Sequence, residues 1–485
     1  MRLSKIVTDR GRCTFTVQDS SWADRLELVG DDDRLVGSAG ALPLRLLAER
    51  TGLRAGLSTA MTRRGFIPVY DRGQLLVDLA VTQILGGEAI SDFQGLRHLA
   101  PVIGPIPSTP TVWRALAEVG ELQLTRIDTA VTVFRRHWWG LLAARPGGFP
   151  WLKVAGRELP GITVVDLDAS IVFAASDKEN AQPTYKGGIG FCPNLASCDN
   201  TDDVLAIDPR PGNATSNNAA DNIALLDRAV ERLPGRYRRR MLIRLDGAGF
   251  SHELLEHIAN GGGVKGRVWE FSAGWSCTDR ETHAIEQLPA QAWTPAIEQN
   301  GEPVQNAFVA DLTGLLDLEG WQEKIPGLRV LVRDEPLHPR YRKRATDREK
   351  ALGRRFQLIV TNTQVGQIAW LDARHRSHVH VENDVKQAKD LGLNKWPSRF
   401  WAINLVWTQT VALAANLLAC YRHLALPEGE LRDAAPKLLR YRLWHLPARL
   451  TRGQRKRWLH LRADWPWTTE VINTWRAVKA LPAPT

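Results

Sequence analysis

Apolar residues recur along the chain at two different spacings. Between residues 74 and 120 they follow the helical period, which predicts helices there. From residue 160 the apolar runs become continuous and β-branched, which is typical of buried strands. The predicted strands lie at or near 162–173, 189–198, 203–208, 241–246 and 267–273, and the predicted helices at 217–232 and 250–259. This order of strands and helices predicts an α/β fold with a mixed sheet.

The second half of the chain changes character twice. Residues 276–355 are rich in Pro, Gly and Trp with short apolar runs, which predicts a mostly β insertion. A strand at 356–363 and a helix at 373–391 follow. Phe400 to Tyr421 carries no formal charge over 22 residues, long enough to cross a bilayer at roughly 20 residues. Polar Asn and Thr residues interrupt it, so we expect a buried helix at 399–424 and no membrane partner.

The N-terminal helices leave two interpretations open. The segment from Pro107 to Trp113 offers Ser and Thr caps and a proline at a helix start. Two short helices around such a turn can form a helix-turn-helix, and a plain helical bundle fits equally well.

Composition narrows the class of protein. The 485 residues include 63 Lys and Arg against 53 Asp and Glu, giving a net charge of +10. With 44% hydrophobic and 24% charged residues, the chain is neither disordered nor collagen-like. Five scattered cysteines without a CxxC pair predict a reducing cytoplasm, and no signal peptide is recognised. The basic balance favours a polyanionic partner, and residues 434–463 hold nine Lys or Arg and no acid.

Three carboxylate positions stand out. Asp166 and Asp168 lie two apart in an apolar strand, so both side chains point to one face. Asp246 ends another strand just before a Gly-Ala-Gly turn, and Glu382 lies in a helix with basic surroundings. Buried carboxylates are costly unless they are paired or bind a metal. Each one alone also fits a cap or an ion pair with an arginine.

Taken together, these acids resemble the Asp-Asp-Glu set of DDE transposases with an RNase H-like fold. In insertion-sequence members, Tyr, Arg, Glu and Lys recur as Y-x2-R-x3-E-x6-K. Here the same spacing holds His375, His378, Glu382 and Lys389, with Arg376 near the position of the missing arginine. The segments VDLDAS at 165–170, RPGN at 210–213, RLDGAG at 244–249 and TNT at 361–363 resemble the bacterial insertion sequence 1380 family. The resemblance covers about residues 70–465.

The resemblance implies a transposase that binds terminal inverted repeats, cleaves the transposon ends by hydrolysis and joins the 3′-OH ends to target DNA. Asp168, Asp246 and Glu382 would be the catalytic residues and would hold two Mg²⁺ ions, for which Mn²⁺ can substitute. Asp168 is preferred to Asp166 as the first acid, and Asp166 is expected to support it from the same strand. The protein is expected to be a bacterial, cytoplasmic, nucleoid-associated homodimer on double-stranded DNA.

The residues expected to contact DNA lie in two groups. The first surrounds Glu382 and the second lies in the basic tail. They are Lys389, His378, Arg376, Lys386, Arg452, Arg455, Lys456 and Arg457. The expected division is an N-terminal helical DNA-binding region (1–135), an RNase H-like domain in two parts (136–275 and 356–425), a β-rich insertion (276–355) and a basic helical C-terminal region (426–485).

Three other motifs in the chain suggest different chemistry. The HExxH motif of metalloproteases is nearly present at His252, Glu253 and His257. The second His comes one residue too late, so on a helix it would not lie on the same face as the first. A zinc cluster of His375, His378, His380 and Glu382 is a further alternative. The glycine run at 261–266 matches GxGxxG but follows a helix, which is the wrong context for a dinucleotide.

Two more possibilities concern function. A transposase-derived DNA-binding protein without catalytic activity stays open, because His replaces both Tyr and Arg in the motif. Trp293 and Trp321 are candidates for stacking on a flipped base, although a core role is favoured for each.

Overall fold

A computed structural model describes residues 3–5, 16–18, 26–175, 177–247, 249–343, 345–453 and 455–484. Strands β1 to β19 have these bounds in chain order: Leu3–Lys5, Thr16–Gln18, Leu35–Val36, Lys153–Val154, Arg157–Glu158, Thr163–Ala169, Val172–Phe173, Gln182–Pro183, Ile189–Phe191, Asn194–Cys198, Asp203–Asp208, Arg240–Leu245, Val268–Trp275, Thr294–Ile297, Pro303–Asp311, Arg329–Pro336, Arg354–Thr361, Ala448–Gly453 and Lys456–Leu461. Helices α1 to α17 have these bounds: Leu42–Arg50, Leu53–Ala60, Arg72–Ile84, Ala100–Ile103, Thr109–Ala117, Glu121–Ala143, Ala219–Glu231, His252–Ala259, Asp279–Glu286, Glu319–Gln322, Asp347–Leu352, Ile368–Arg376, His380–Ala388, Trp401–Ala425, Glu430–Asp433, Pro436–Leu439 and Thr468–Ala480.

Nine strands form one mixed sheet in the order β11-β10-β6-β12-β13-β17-β16-β15-β14. β10 is antiparallel to β6 and β11, whereas β12 lies parallel to β6 and β13. Antiparallel pairing then continues from β13 through β17, β16 and β15 to β14. The predicted mixed α/β architecture is therefore confirmed. Residues 276–355 contribute β14, β15 and β16 to this same sheet.

The long helix α14 is the centre of the hydrophobic core. It packs against β11 of the sheet and against the N-terminal helices α1, α3, α5 and α6. By length and composition it could cross a membrane, but 89% of its most apolar window is buried inside the protein. The expected buried core helix is therefore confirmed. Helix α3 is itself almost entirely buried against α14, as in a bundle, and α6 continues past residue 135 to Ala143.

Several elements differ from the prediction. The strand expected at 162–173 is divided into β6 and β7, and the strand expected near 189–198 is divided into β9 and β10. The helix expected at 373–391 is broken into α12 and α13 by a 3₁₀ turn at Ser377–Val379. The Ser377 hydroxyl donates to the Arg374 carbonyl at 2.8 Å and also accepts a hydrogen bond from Arg244. The break lies at this serine, and Ser hydroxyls that bond to the preceding turn often bend helices.

The basic tail is also not helical throughout, so that part of the prediction is wrong. β18 and β19 form an antiparallel hairpin that pairs with β3 near the N-terminus. Ala448 and Leu450 are buried while Arg449 between them is exposed, which is the alternation of a strand. The many Lys and Arg residues of this stretch make the short alternation of apolar and polar positions hard to recognise in the sequence. We call the stretch 448–461 the basic hairpin.

We expect acid to destabilise the protein through His423, which lies on α14. Burial is the main reason that the pKa of His423 falls to about 4, against 6.5 in an unfolded chain. The unfolded state therefore takes up a proton first, and stability is lost as pH falls from about 6.5 to about 4, by roughly 3 kcal/mol in all. Chemical denaturation across this range should show a smaller loss for His423→Gln. His460→Gln, on the exposed face of the basic hairpin, should behave like the wild type, and equal curves for all three proteins would contradict the assignment.

Candidate active site

Asp168 and Asp246 lie side by side because of the strand register. β6 and β12 are parallel, and Leu167 pairs with Leu245. Asp168 and Asp246 occupy the next position on each chain, at the carboxyl ends of the two strands. The turn after Asp246 runs very close to β13: a Cβ at Gly274 would lie 2.7 Å from the backbone nitrogen of Gly247. Glycine at 274 therefore permits the close approach that holds this turn.

Glu382 completes the set from a different element. It is an exposed residue in the first turn of α13, and α13 packs against β6 and β10. Asp168, Asp246 and Glu382 all line one cavity of about 960 Å³. The structure thus brings together three acids that are distant in sequence. We call this space the carboxylate cavity.

The charges in the carboxylate cavity repel one another. Burial raises the pKa of Asp168 to about 6, and the negative charges of Asp246 and, more weakly, Glu382 add to that rise. His378 acts in the opposite direction. Ionising Asp168 therefore costs free energy, and a bound cation would lower that cost.

Asp166, on the same face of β6, is already paired. Arg244 donates two hydrogen bonds to its carboxylate, at 2.7 and 2.6 Å, and a third to Asp199 at 2.6 Å. Burial opposes ionisation of Asp166, but Arg244 and His378 outweigh it and bring its pKa to about 2. The Nδ1 atom of His378 lies 2.8 Å from Oδ1 of the same carboxylate, an oxygen that Arg244 also contacts. Asp166 therefore reaches the carboxylate cavity through His378.

A family model described as "Transposase DDE domain group 1" matches residues 20–483. The chain belongs to the DDE transposases. A cryo-EM structure of piggyBac transposase, in a synaptic complex with hairpin DNA, is similar with a TM-score of 0.40 and 12% identity over 83% of this chain and 78% of that one. No curated protein matches the chain in sequence. Membership assigns the chain to enzymes that cleave and transfer DNA.

DDE transposases use divalent metal ions, and the donors in this transposase suit that chemistry. Mg²⁺ and Mn²⁺ prefer carboxylate oxygens, and three carboxylates line the carboxylate cavity. The negative charges of Asp246 and Glu382 raise the pKa of Asp168 there. Across the described part of the chain, no group of three His, Cys, Asp or Glu side chains is arranged tightly enough to hold one ion. The residues therefore suit a divalent ion through the types of their donor atoms and through the cavity that they share.

The two histidines of the motif lie at the same cavity but in different surroundings. The Nδ1 atom of His375 lies 2.8 Å from the hydroxyl of Ser272, and burial together with nearby cations lowers the pKa of His375 to about 3. His375 is thus neutral at physiological pH. The ring of His378 lies 6.2 Å from it and points its Nδ1 atom at Asp166. A shared zinc site with Glu382 finds no support among the described side chains, which do not include that of His380.

The cations predicted to bind DNA fall in three places. Arg376 lines the carboxylate cavity. Lys389 is half-buried and within electrostatic reach of Asp168; burial lowers its pKa, and Asp168 partly offsets this. Lys386 instead lines a separate cavity of about 400 Å³ with Asp384 and Asp390. The remaining four, Arg452, Arg455, Lys456 and Arg457, are exposed on the basic hairpin.

The rival motifs have structural roles in the transposase. His252 stacks on Trp321 at 3.6 Å, while His257 bonds to Asp227 at 2.8 Å, so the two histidines have separate partners. Gly261–Gly263 form a short turn between α8 and β13. Trp321 and Trp293 both pack on the hydrophobic core.

Several residues at the site were not predicted as functional. Arg244 is fully buried and joins strand β12 to Asp166, Asp199 and Ser377. A single arginine inside an apolar strand was the available signal. Arg340, Tyr341 and Arg355 also line the carboxylate cavity, and no sequence pattern marks them.

Proposed function

We propose that this chain is the transposase of a bacterial insertion sequence resembling the 1380 family. It would bind terminal inverted repeats, hydrolyse a phosphodiester at each transposon end and join the 3′-OH ends to target DNA. One observation carries the proposal: Asp168, Asp246 and Glu382, which match the family's acids in order and setting, line the same cavity.

The fold supports an RNase H-like catalytic domain. The first three strands of such a domain run antiparallel, and a fourth and fifth follow parallel to the first. β10 pairs antiparallel with β6 and with β11. β12 runs parallel to β6, and β13 runs parallel to β12. We therefore assign β6, β10, β11, β12 and β13 to this domain and β14 to β16 to the insertion. The N-terminal helices and the basic hairpin would recognise DNA ends.

Asp168, Asp246 and Glu382 would hold two divalent ions, with Mg²⁺ the expected species. Bound ions of this kind activate the attacking oxygen and stabilise the leaving oxygen in phosphodiester cleavage. The protein's own side chains would orient the DNA. Arg376, which lines the carboxylate cavity, and Lys389, within electrostatic reach of Asp168, would supply positive charge to a phosphate, Lys389 as a point charge. The Arg244 network holds Asp166 and His378 in place behind them.

The test is cleavage of DNA that borders the gene. Inverted repeats flanking the reading frame would supply a labelled duplex. We expect the purified protein to nick it at the repeat boundary with Mg²⁺ or Mn²⁺ and not with EDTA. Binding without nicking under every divalent ion would contradict the proposal.

Binding without nicking is the result that the alternative predicts, namely a DNA-binding protein that has lost catalytic activity. The observation in its favour is that His375 and His378 replace Tyr and Arg, and that His375 is neutral at physiological pH. The retained acids favour the active enzyme. A homodimer that pairs two ends, in a bacterial cytoplasm with the nucleoid, belongs to the same proposal.

The basic hairpin is expected to bind the DNA backbone. Changing its four cations together to Gln (Arg452, Arg455, Lys456 and Arg457) should reduce the slope of log affinity against log salt by about 3–4, because each phosphate contact releases about 0.9 of a counterion. Fluorescence anisotropy with a duplex at several salt concentrations measures this slope. Changing Arg476 and Lys479 to Gln, two exposed cations on α17, should leave the slope unchanged. An unaltered slope in the hairpin variant would remove the hairpin from the DNA interface.

A further inference from the structure

The carboxylate cavity has a second wall of opposite charge. Arg340, Arg355 and Arg376 line it together with Tyr341. We call these four residues the basic wall. Arg340 and Tyr341 lie in a 3₁₀ turn that follows β16, Arg355 lies on β17, and Arg376 ends α12. Three separate elements therefore deliver cations to the cavity that holds the acids.

The basic wall carries more positive charge than its surroundings neutralise. Glu335 accepts from Arg333 at 2.9 Å and lies 3.7 Å from Arg355 and 3.9 Å from Arg376. Arg333 also pairs with Asp372, at 2.6 Å. These three guanidinium groups thus share two carboxylates.

Arg340 adds a fourth guanidinium. It is exposed and has no carboxylate partner within the part of the chain that the structure describes.

Tyr341 contacts two of the cations. The guanidinium of Arg355 lies 3.9 Å from the centre of the Tyr341 ring and that of Arg340 lies 4.5 Å from it. Arg340 also donates a hydrogen bond to the Tyr341 hydroxyl. Stacking on an aromatic ring orients a guanidinium while leaving N–H groups available. Two cations that contact one ring and line the same cavity can bind an anion with several acceptor oxygens.

We propose that the basic wall binds a backbone phosphate of DNA, next to the phosphodiester that lies at the acids. This inference rests on the proposed function, which places a phosphodiester at Asp168 and Asp246. A cavity of about 960 Å³ is larger than one phosphate needs, so the DNA strand can continue from the acids to the arginines. Guanidinium forks match phosphate oxygens in pairs, and Tyr341 acts as a positioning residue for them.

The experiment measures DNA binding without divalent metal, so that it does not depend on cleavage. The full-length protein is titrated in EDTA against a fluorescein-labelled duplex carrying the DNA end that borders the reading frame. We expect the double variant Arg340→Gln, Arg355→Gln to bind about 10-fold more weakly and to reduce the salt slope by about 1–2. The matched control is Arg342→Gln, an exposed arginine two residues from Arg340 that does not line the cavity, and it should keep the wild-type slope.

Two refinements locate the contact. Tyr341→Ala should weaken binding in part, and Tyr341→Phe should restore most of it, because the ring does the positioning. Duplexes with one neutral methylphosphonate at successive positions should reveal one or two phosphates whose neutralisation weakens the wild type. The double variant should be insensitive at those same positions.

The outcomes separate the two proposals. A double variant with the wild-type salt slope, or one that differs no more than Arg342→Gln, overturns the basic wall as a phosphate site. Loss of the slope and of the methylphosphonate response supports it. Nicking of the same duplex with Mg²⁺ is scored separately, so a protein that binds as expected but never nicks refutes the catalytic proposal alone.

Discussion

Asp168→Asn is expected to lower Mg²⁺-dependent nicking of a transposon end by at least about 10³-fold, or roughly 4 kcal/mol of transition-state stabilisation. The change removes one of the acids of the carboxylate cavity while keeping the size of the side chain. It should not destabilise the fold, because burial and the charge of Asp246 already oppose ionisation at position 168. A gel assay of nicking, together with a thermal melt in EDTA, measures both effects.

The companion variants Asp246→Asn and Glu382→Gln should show losses of similar size. Glu323→Gln, an exposed carboxylate in the insertion, is the matched control and should nick at the wild-type rate. Wild-type nicking by Asp168→Asn would remove Asp168 from the catalytic set. In that case Asp166→Asn would be the next variant to assay, although its ion pair with Arg244 indicates a structural role.

Arg244→Met is expected to have the largest effect on stability, lowering the free energy of unfolding by about 3–5 kcal/mol. Arg244 is fully buried and its guanidinium pairs with both Asp166 and Asp199. Methionine would remove the cation that these two buried carboxylates share, and less favourable interaction would then offset the desolvation cost of each. Urea denaturation followed by circular dichroism measures the loss.

Arg228→Met is the control for this prediction. Arg228 pairs with Asp208 at the surface, with side chains that are 37% and 26% exposed, so the change should cost less than about 1 kcal/mol. Arg244→Lys should fall between the two, because a single ammonium cannot replace both arms of the guanidinium fork. Equal urea midpoints for Arg244→Met and wild type would show that the network contributes nothing to stability.

The strands at the site could be predicted because their signal is local. The continuous β-branched run around Asp168 and the short run that ends before Asp246 each predict a buried strand, and both strands are present. The chain between them includes helix α7, which is compatible with the crossover that parallel neighbours require. The convergence of Asp168 and Asp246 therefore requires only that β6 and β12 are neighbours, whereas Glu382 also requires helix α13 to pack on β6.

Other features depend on tertiary contacts that a sequence pattern does not carry. Ser377, at the break before Glu382, contacts Arg244, which lies 133 residues away in the chain. The basic hairpin is a strand pair partly because β3 offers a free edge to β18. Arg340 and Arg355 reach the cavity only because β16 and β17 pair in register, which places Glu335 opposite Arg355.

The position of α14 has a consequence for where DNA would be cut. This helix joins the N-terminal helices and the sheet that holds Asp168 in one hydrophobic core. Under the proposed function, the N-terminal helices that grip a repeat and the acids that cut it would move as a single rigid body. The rigid protein would then fix the number of base pairs between the recognised sequence and the cleaved bond. Lengthening a surface loop would not change that number.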